Sequence, residues 1–172
     1  MVDGDLLGVV DVDAVVNAWN HNVLPWWSLI PSGVSAAIKR QAGVAPFREL
    51  ARHGPIPLGG AVTTGPGRLS CKGIIHVAAI SMRWRASEAS VDAGTRAALD
   101  QARRHCFASL AFPLLGAGSG GLAPDKSLAV MLGAVEDAGD SLRVVIVRHR
   151  PPPASGRRAP TRRRRAPHGP AQ

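Results

Sequence analysis

The sequence predicts an α/β domain, a sheet with helices on both of its faces. Three observations predict it. Short β-branched apolar runs alternate along the chain with segments of helical period. Hydrophobic residues make up 45% of the chain, enough for a packed core. The length of 172 residues suits one domain of ordinary size plus a tail.

The elements follow in order. Residues 12–16, 73–78, 109–114 and 142–147 read as strands, and residues 61–64 add another. Between them, residues 33–42, 46–53, 91–105 and 124–138 read as helices. The last is the clearest, because Leu128, Met131, Leu132 and Val135 recur at helical steps on one face. Alternation of this kind places helices on both faces of one sheet. Nothing repeats at a fixed period.

Charge and cysteine content exclude several classes. The formal net charge is +9, but residues 148–172 carry eight arginines and no acid. The first 147 residues hold 13 basic and 12 acidic side chains and are nearly neutral. The basic character therefore belongs to the Pro/Arg-rich end, residues 149–172, which offers no apolar period and reads as disordered. That tail is either a weak, salt-sensitive grip on nucleic acid or a solvated extension. Two cysteines, Cys71 and Cys106, make neither a disulfide framework nor a four-ligand zinc site. No apolar run reaches the roughly 18–20 residues of a membrane span, and no basic-then-apolar leader opens the chain. The expectation is a cytoplasmic monomer without metal or cofactor.

Ligands of such sheets bind beyond the carboxyl ends of the strands. Two loops there stand out. The first follows Val15-Val16 and begins Asn17-Ala18-Trp19-Asn20-His21. Carboxamides offer a donor and an acceptor, so Asn17 and Asn20 can hold a sugar hydroxyl pair or orient a water, or simply stabilise a turn. His21 is either a general base or a surface histidine. Trp19, Trp26 and Trp27 either pack this loop or stack on a ligand ring. The second loop reads Gly116-Ala117-Gly118-Ser119-Gly120-Gly121-Leu122, with Pro124 opening the next helix. Its bare backbone amides and the helix dipole suit a pyrophosphate. The same glycines match G-x-G-x-x-G, which raises a rival, an NAD(P)-binding oxidoreductase domain. The loop's late position, and the missing acid after the next strand, disfavour that rival.

In sum these pieces resemble the macrodomain family, which binds ADP-ribose. Gly4-Asp5-Leu6, then Val12-Asp13-Ala14-Val15-Val16-Asn17-Ala18-Trp19-Asn20, nearly matches its Gly-Asp-Ile and Val-Asp-Ala-Ile-Val-Asn-Ala-Ala-Asn pattern. Residues 57–65, the strand Ile74-Ile75-His76-Val77 and the glycine loop follow in the family's order. The resemblance implies a three-layer α/β/α fold with a mixed central sheet over residues 1–148. Only three residues precede Gly4, so the family's first strand is expected to be missing or cut short.

The resemblance also implies roles. Asp5 would accept from the adenine amine, with the Leu6 amide beside it. Asn20 would hold the distal ribose, with Asn17 in support. Gly33 and Val34 would face the phosphates from one side. Gly116, Ala117, Gly118, Ser119, Gly120, Gly121 and Leu122 would wrap the diphosphate and distal ribose from the other. His76, inside an apolar strand, reads as structural. One departure bears on catalysis. Hydrolytic members of one subgroup carry Gly-Gly-Gly-Val-Asp, whose aspartate is proposed to activate water; here the stretch is Pro31-Ser32-Gly33-Val34-Ser35. An unassisted serine is a poor base, which leaves Asn20 and His21 as the catalytic candidates. The expected ligand is ADP-ribose or an ADP-ribosylated macromolecule. The activity is either hydrolysis of ADP-ribosyl or O-acetyl-ADP-ribose esters, or non-catalytic reading of the modification.

Overall fold

The computed structural model describes residues 2–8, 11–21, 33–139 and 142–149. Six strands form one sheet: β1 (Val2–Gly4), β2 (Ala14–Asn20), β3 (Ala61–Thr64), β4 (Gly73–Ile80), β5 (Ser109–Pro113) and β6 (Arg143–His149), in the spatial order β1-β6-β5-β2-β4-β3. Every neighbouring pair is parallel except β3 with β4, so the sheet is mixed. The first strand is short but not missing. Val2, Asp3 and Gly4 pair with Val147, Arg148 and His149 of β6, which corrects the expectation of an absent edge.

Alternation along the strands divides the core in two. Val16, Ile75, Val77, Leu110 and Phe112 face α3 (Glu88–Arg104) and α4 (Pro124–Ala138). Val15, Ile74, Ala111 and Val147 face α1 (Gly33–Ala42) and α2 (Ala45–Arg52), with Leu6, Ile38 and Phe47 between. Helices on both faces account for the burial of every residue of β4 and β5.

Two differences from the sequence reading have physical causes. Helix α3 begins at Glu88, three residues before the expected Val91, because Ser87 and Ser90 form a capping box. The Ser90 amide donates to Ser87 Oγ at 3.1 Å, and the Ser87 amide donates back to Ser90 Oγ at 2.9 Å. On α4 the buried stripe is Ser127, Met131 and Ala134, while Leu132 is 42% exposed. A small serine can face inward there because its hydroxyl finds a carbonyl. Ser127 Oγ donates to Leu115 O at 2.7 Å. Among the described residues no helix is long and apolar enough to cross a membrane.

Candidate functional site

The chain connections place a crevice. After β2 the chain goes to α1, on one face of the sheet; after β5 it goes to α4, on the other. Strands β2 and β5 are neighbours, so the two connections part between them, which opens a cleft at their carboxyl ends. The ends of β1, β6, β5, β2 and β4 all lie along this edge, because these strands are mutually parallel.

Asp5 sits at the β1 end of the edge. It is exposed; its carbonyl accepts from the Gly8 amide at 3.0 Å, closing a single 3-10 turn over Leu6–Gly8, and its Oδ1 accepts from the Leu7 amide at 3.2 Å. The Leu6 side chain is buried beside Ile38 and Val147. Its backbone amide donates to nothing among the described residues. A carboxylate acceptor and an amide without an acceptor among the described residues thus stand side by side. Only β6 separates β1 from β5, so about 10 Å lies between Asp5 and the start of the glycine loop.

The glycine loop is anchored at its base and open at its tip. Leu115 is held by α4 through both backbone groups: its carbonyl by Ser127 and its amide by Met131 Sδ at 3.4 Å. The turn closes through the Gly121 amide to Gly118 O and the Leu122 amide to Gly116 O, each at 3.1 Å. The four glycines divide into two pairs. A Cβ on Gly116 or Gly120 would lie 2.6 or 2.8 Å from Ala86 Cβ, so these two are small because the loop after β4 packs on them. A Cβ on Gly118 or Gly121 would meet nothing within 4 Å. Ala117 is half-buried and Ser119 exposed.

Asn17, Trp19 and Asn20 lie within β2 rather than in a loop after it. The strand runs four residues beyond the expected Val16, which corrects the placement of both carboxamides. Asn17 is fully buried and its Nδ2 donates to His76 Nδ1 at 3.0 Å. With Nδ1 accepting, the proton of neutral His76 is on Nε2, which donates to Thr64 Oγ1 at 2.9 Å. Burial, with a smaller contribution from nearby His53, pushes the His76 pKa down to about 3. Trp19 and Phe47 enclose the imidazole, with ring centroids 6.3 and 5.7 Å away. Trp19 is therefore a packing residue, as His76 is a structural one. Trp26 and Trp27 fall outside the described residues, as do residues 150–172.

Asn20 ends β2 opposite Ile80, at a register shift, and His21 follows with its amide on Ile80 O at 2.8 Å. His21 Nδ1 donates to the Ile56 carbonyl at 2.6 Å. A carbonyl only accepts, so the proton of the neutral ring is fixed on Nδ1 and Nε2 keeps a lone pair. At the start of α1, Gly33 is exposed with φ 55° and Val34 is half-buried. Ser35 is buried, and its Oγ has no hydrogen-bond partner among the described residues.

Sequence reasoning passed over the loop joining β4 to α3. Its Ala86 amide donates to Gly120 O at 3.0 Å, so it forms one wall of the glycine turn. It also displays Trp84 at 55% exposure, with φ 57°. Left-handed backbone costs a non-glycine residue about 1–2 kcal/mol. The pairing of Ser87 with Ser90 three residues on was the signal available in the sequence.

The architecture defines a doubly covered α/β domain with its loops gathered over the carboxyl edge of a mainly parallel sheet. Within that class the chain belongs to the Macro domain family, whose model matches residues 16–131. An uncharacterised protein of Aquifex aeolicus is 37% identical over 72% of this chain and 72% of its own length. A Salmonella gallinarum protein named O-acetyl-ADP-ribose deacetylase is 32% identical over 80% of this chain and 76% of its own length. The chain spans only 38% of the length of an uncharacterised Mycobacterium tuberculosis relative. A Trypanosoma brucei macrodomain solved in complex with ADP-ribose superposes with a TM-score of 0.73 at 22% identity, covering 86% of this chain and 62% of that one. That likeness shows the shared fold.

Proposed function

We propose that the carboxyl edge of the sheet binds ADP-ribose, laid across the strand ends from β1 to β2. The observation that carries this reading is the order of the parts. An acceptor beside a bare amide stands at β1, an open glycine turn at β5, and Asn20 with His21 at the end of β2. A purine edge, a diphosphate and a ribose need those three partners in that order. Asp5 and the Leu6 amide take the adenine. Gly33, Val34 and residues 116–122 surround the diphosphate, where backbone amides and the N-terminus of α4 favour an anion. Asn20 holds the distal ribose, and Asn17 supports that strand end from beneath through His76.

The reaction this geometry serves is hydrolysis of an ester at the distal ribose. With Nδ1 committed to Ile56, His21 Nε2 is the atom able to take a proton from a water held near Asn20. The name of the Salmonella relative supports this class of substrate. A second reading, a non-catalytic reader, is favoured by Ser35, which presents a hydroxyl rather than a carboxylate at the start of α1. In either case the arginines of residues 149–172 add a salt-sensitive contact with a polyanion.

Calorimetry tests the binding. ADP-ribose should bind the wild-type chain and bind Asp5→Ala at least about tenfold more weakly, the scale of one charge-assisted hydrogen bond. NAD bound as tightly as ADP-ribose would overturn the assignment. Incubation with O-acetyl-ADP-ribose separates the two readings. Product from wild type and none from His21→Ala supports the hydrolase; no product from wild type leaves the reader.

A further inference from the structure

The loop between β4 and α3 is built to display an aromatic ring that the fold does not use. Ser81 and Arg85 close it: the Ser81 amide donates to Arg85 O at 2.9 Å and the Trp84 amide to Ser81 O at 2.9 Å. Ser81 Oγ adds a bond to the same Arg85 carbonyl at 2.9 Å. This is a three-residue hairpin loop whose last position is left-handed, a place that glycine ordinarily takes. Here it holds Trp84, 55% exposed, with Met82 beside it at 56%. Arg83 and Arg85 neighbour Trp84 in sequence and are exposed. Neither pairs with a carboxylate among the described residues. Residues 81–87 contain no acid.

Its position gives this display a purpose. The loop lies between the two parts of the edge assigned to the distal ribose. His21 is bonded to Ile80, the residue before it, and Gly120 is bonded to Ala86, the residue after it. Adenine lies at the far end, at β1. Whatever is attached to the distal ribose therefore leaves the cleft beside Trp84. The polypeptide also leaves β6 at this edge, toward a segment that carries seven more arginines after Arg148.

We propose that the Ser81–Arg85 loop receives single-stranded nucleic acid joined to the distal ribose, with Trp84 stacked on a base and Arg83 and Arg85 on neighbouring phosphates. This rests on the ADP-ribose reading and names the class of macromolecule that site would serve. Exposed indole with flanking guanidiniums is the combination that holds unpaired bases and their backbone together. A run of Asp and Glu would satisfy the arginines but has no aromatic face at each step to match the tryptophan, as successive bases do.

The test uses the full chain and fluorescence anisotropy of a labelled short oligodeoxythymidylate. Its controls are an abasic oligomer of equal charge and a polyglutamate competitor. Trp84→Ala should weaken oligonucleotide binding about tenfold and Trp84→Phe should restore most of it. The abasic oligomer should bind wild type and Trp84→Ala alike, since charge from the arginine-rich end is common to both. Arg83→Gln with Arg85→Gln should lower the slope of log affinity against log salt by about 1.4, the single-strand value for two phosphate contacts. Trp84→Gly relieves the left-handed backbone and should melt no lower than wild type, which separates lost stacking from unfolding. An unchanged affinity in Trp84→Ala, or an equal loss with the abasic oligomer, overturns the proposal. So does polyglutamate that displaces the oligonucleotide from wild type as readily as it displaces the abasic oligomer. ADP-ribose calorimetry on the same variants should show unchanged affinity; a wild type that binds the oligonucleotide but not ADP-ribose would sink the pocket reading instead.

Discussion

Ala86 and Gly120 hold the candidate phosphate loop against the rest of the domain. The Ala86 amide donates to the Gly120 carbonyl at 3.0 Å, and the Ala86 methyl occupies the space that a Cβ on Gly120 or Gly116 would need. The loop's shape is therefore set by packing from beneath as much as by the freedom of glycine. Gly116→Ala adds a methyl 2.6 Å from Ala86 on a residue with φ 73°. Crowding and strained backbone together should cost about 1–3 kcal/mol. Gly118→Ala adds a methyl into open space and should leave the unfolding midpoint in urea unchanged. The same Gly118 methyl projects where a diphosphate would lie, so its ADP-ribose affinity should fall although its stability does not. Paired urea melts and calorimetry check both halves.

The other anchor of the loop is Ser127. Its hydroxyl is buried and donates to the Leu115 carbonyl, the last residue before Gly116. Ser127→Ala would leave that buried carbonyl without its donor. The expected loss is about 1–3 kcal/mol, measured by thermal or urea unfolding. Ser127→Cys keeps a weak donor on a somewhat larger atom and should recover part of it. A wild-type melting curve for Ser127→Ala would show that Leu115 does not need the hydroxyl.

The sheet and its four helices were legible because their apolar residues recur at strand or helix period, and Gly43, Gly54, Pro124 and Gly139 mark helix ends. Helix α4 matched residue for residue, stopped by Gly139 at φ 61°. The ends of β2 were not legible, because nothing local distinguishes Asn17 in a strand from Asn17 in a turn. Its partner His76 is 59 residues away. On α4, Met131, Leu128 and Val135 pack on the core as their spacing predicts, and only Leu132 departs from that face. Leu132 looked like core, yet Ser127 took the buried place through a bond to another element. The glycine loop was found, but its division into packed and open glycines was not, since Ala86 reaches it only through the fold. The loop carrying Trp84 has no apolar period and no known pattern; its exposure and backbone angle appear only in three dimensions.

His76 makes stability depend on pH. Its folded pKa is about 3 against 6.5 for the unfolded side chain. Between those values the unfolded chain binds a proton that the folded chain refuses. Stability from this residue is therefore complete above 6.5 and is lost as the pH falls toward 3, with a slope of at most about 1.4 kcal/mol per pH unit. Asp13 also has a lowered pKa, first through its bond with Lys72, but that contribution is lost only as the pH falls below about 4, the ordinary carboxylate range. Measurements between pH 6.5 and 4.5 thus isolate the histidine. His76→Gln should be less stable than wild type at pH 8 and show a shallower fall over that interval. Equal slopes would mean that His76 is not held neutral.

Ser35 gives the opposite expectation from Ser127. Its side chain is buried in the first turn of α1, 6% exposed, and its hydroxyl finds no partner among the described residues. A buried hydroxyl without a partner has lost its water and gained nothing in return. Removing it should be neutral or stabilising, because no group among the described residues is left unsatisfied. Ser35→Ala should therefore unfold at the same or a higher urea concentration than wild type. If ADP-ribose binds, the same variant also tests whether that hydroxyl serves the ligand. A loss of affinity with stability unchanged or raised would assign it to the phosphate side of the cleft. A loss of stability would mean that the hydroxyl has a partner in solution, such as an ordered water that the enclosed site traps.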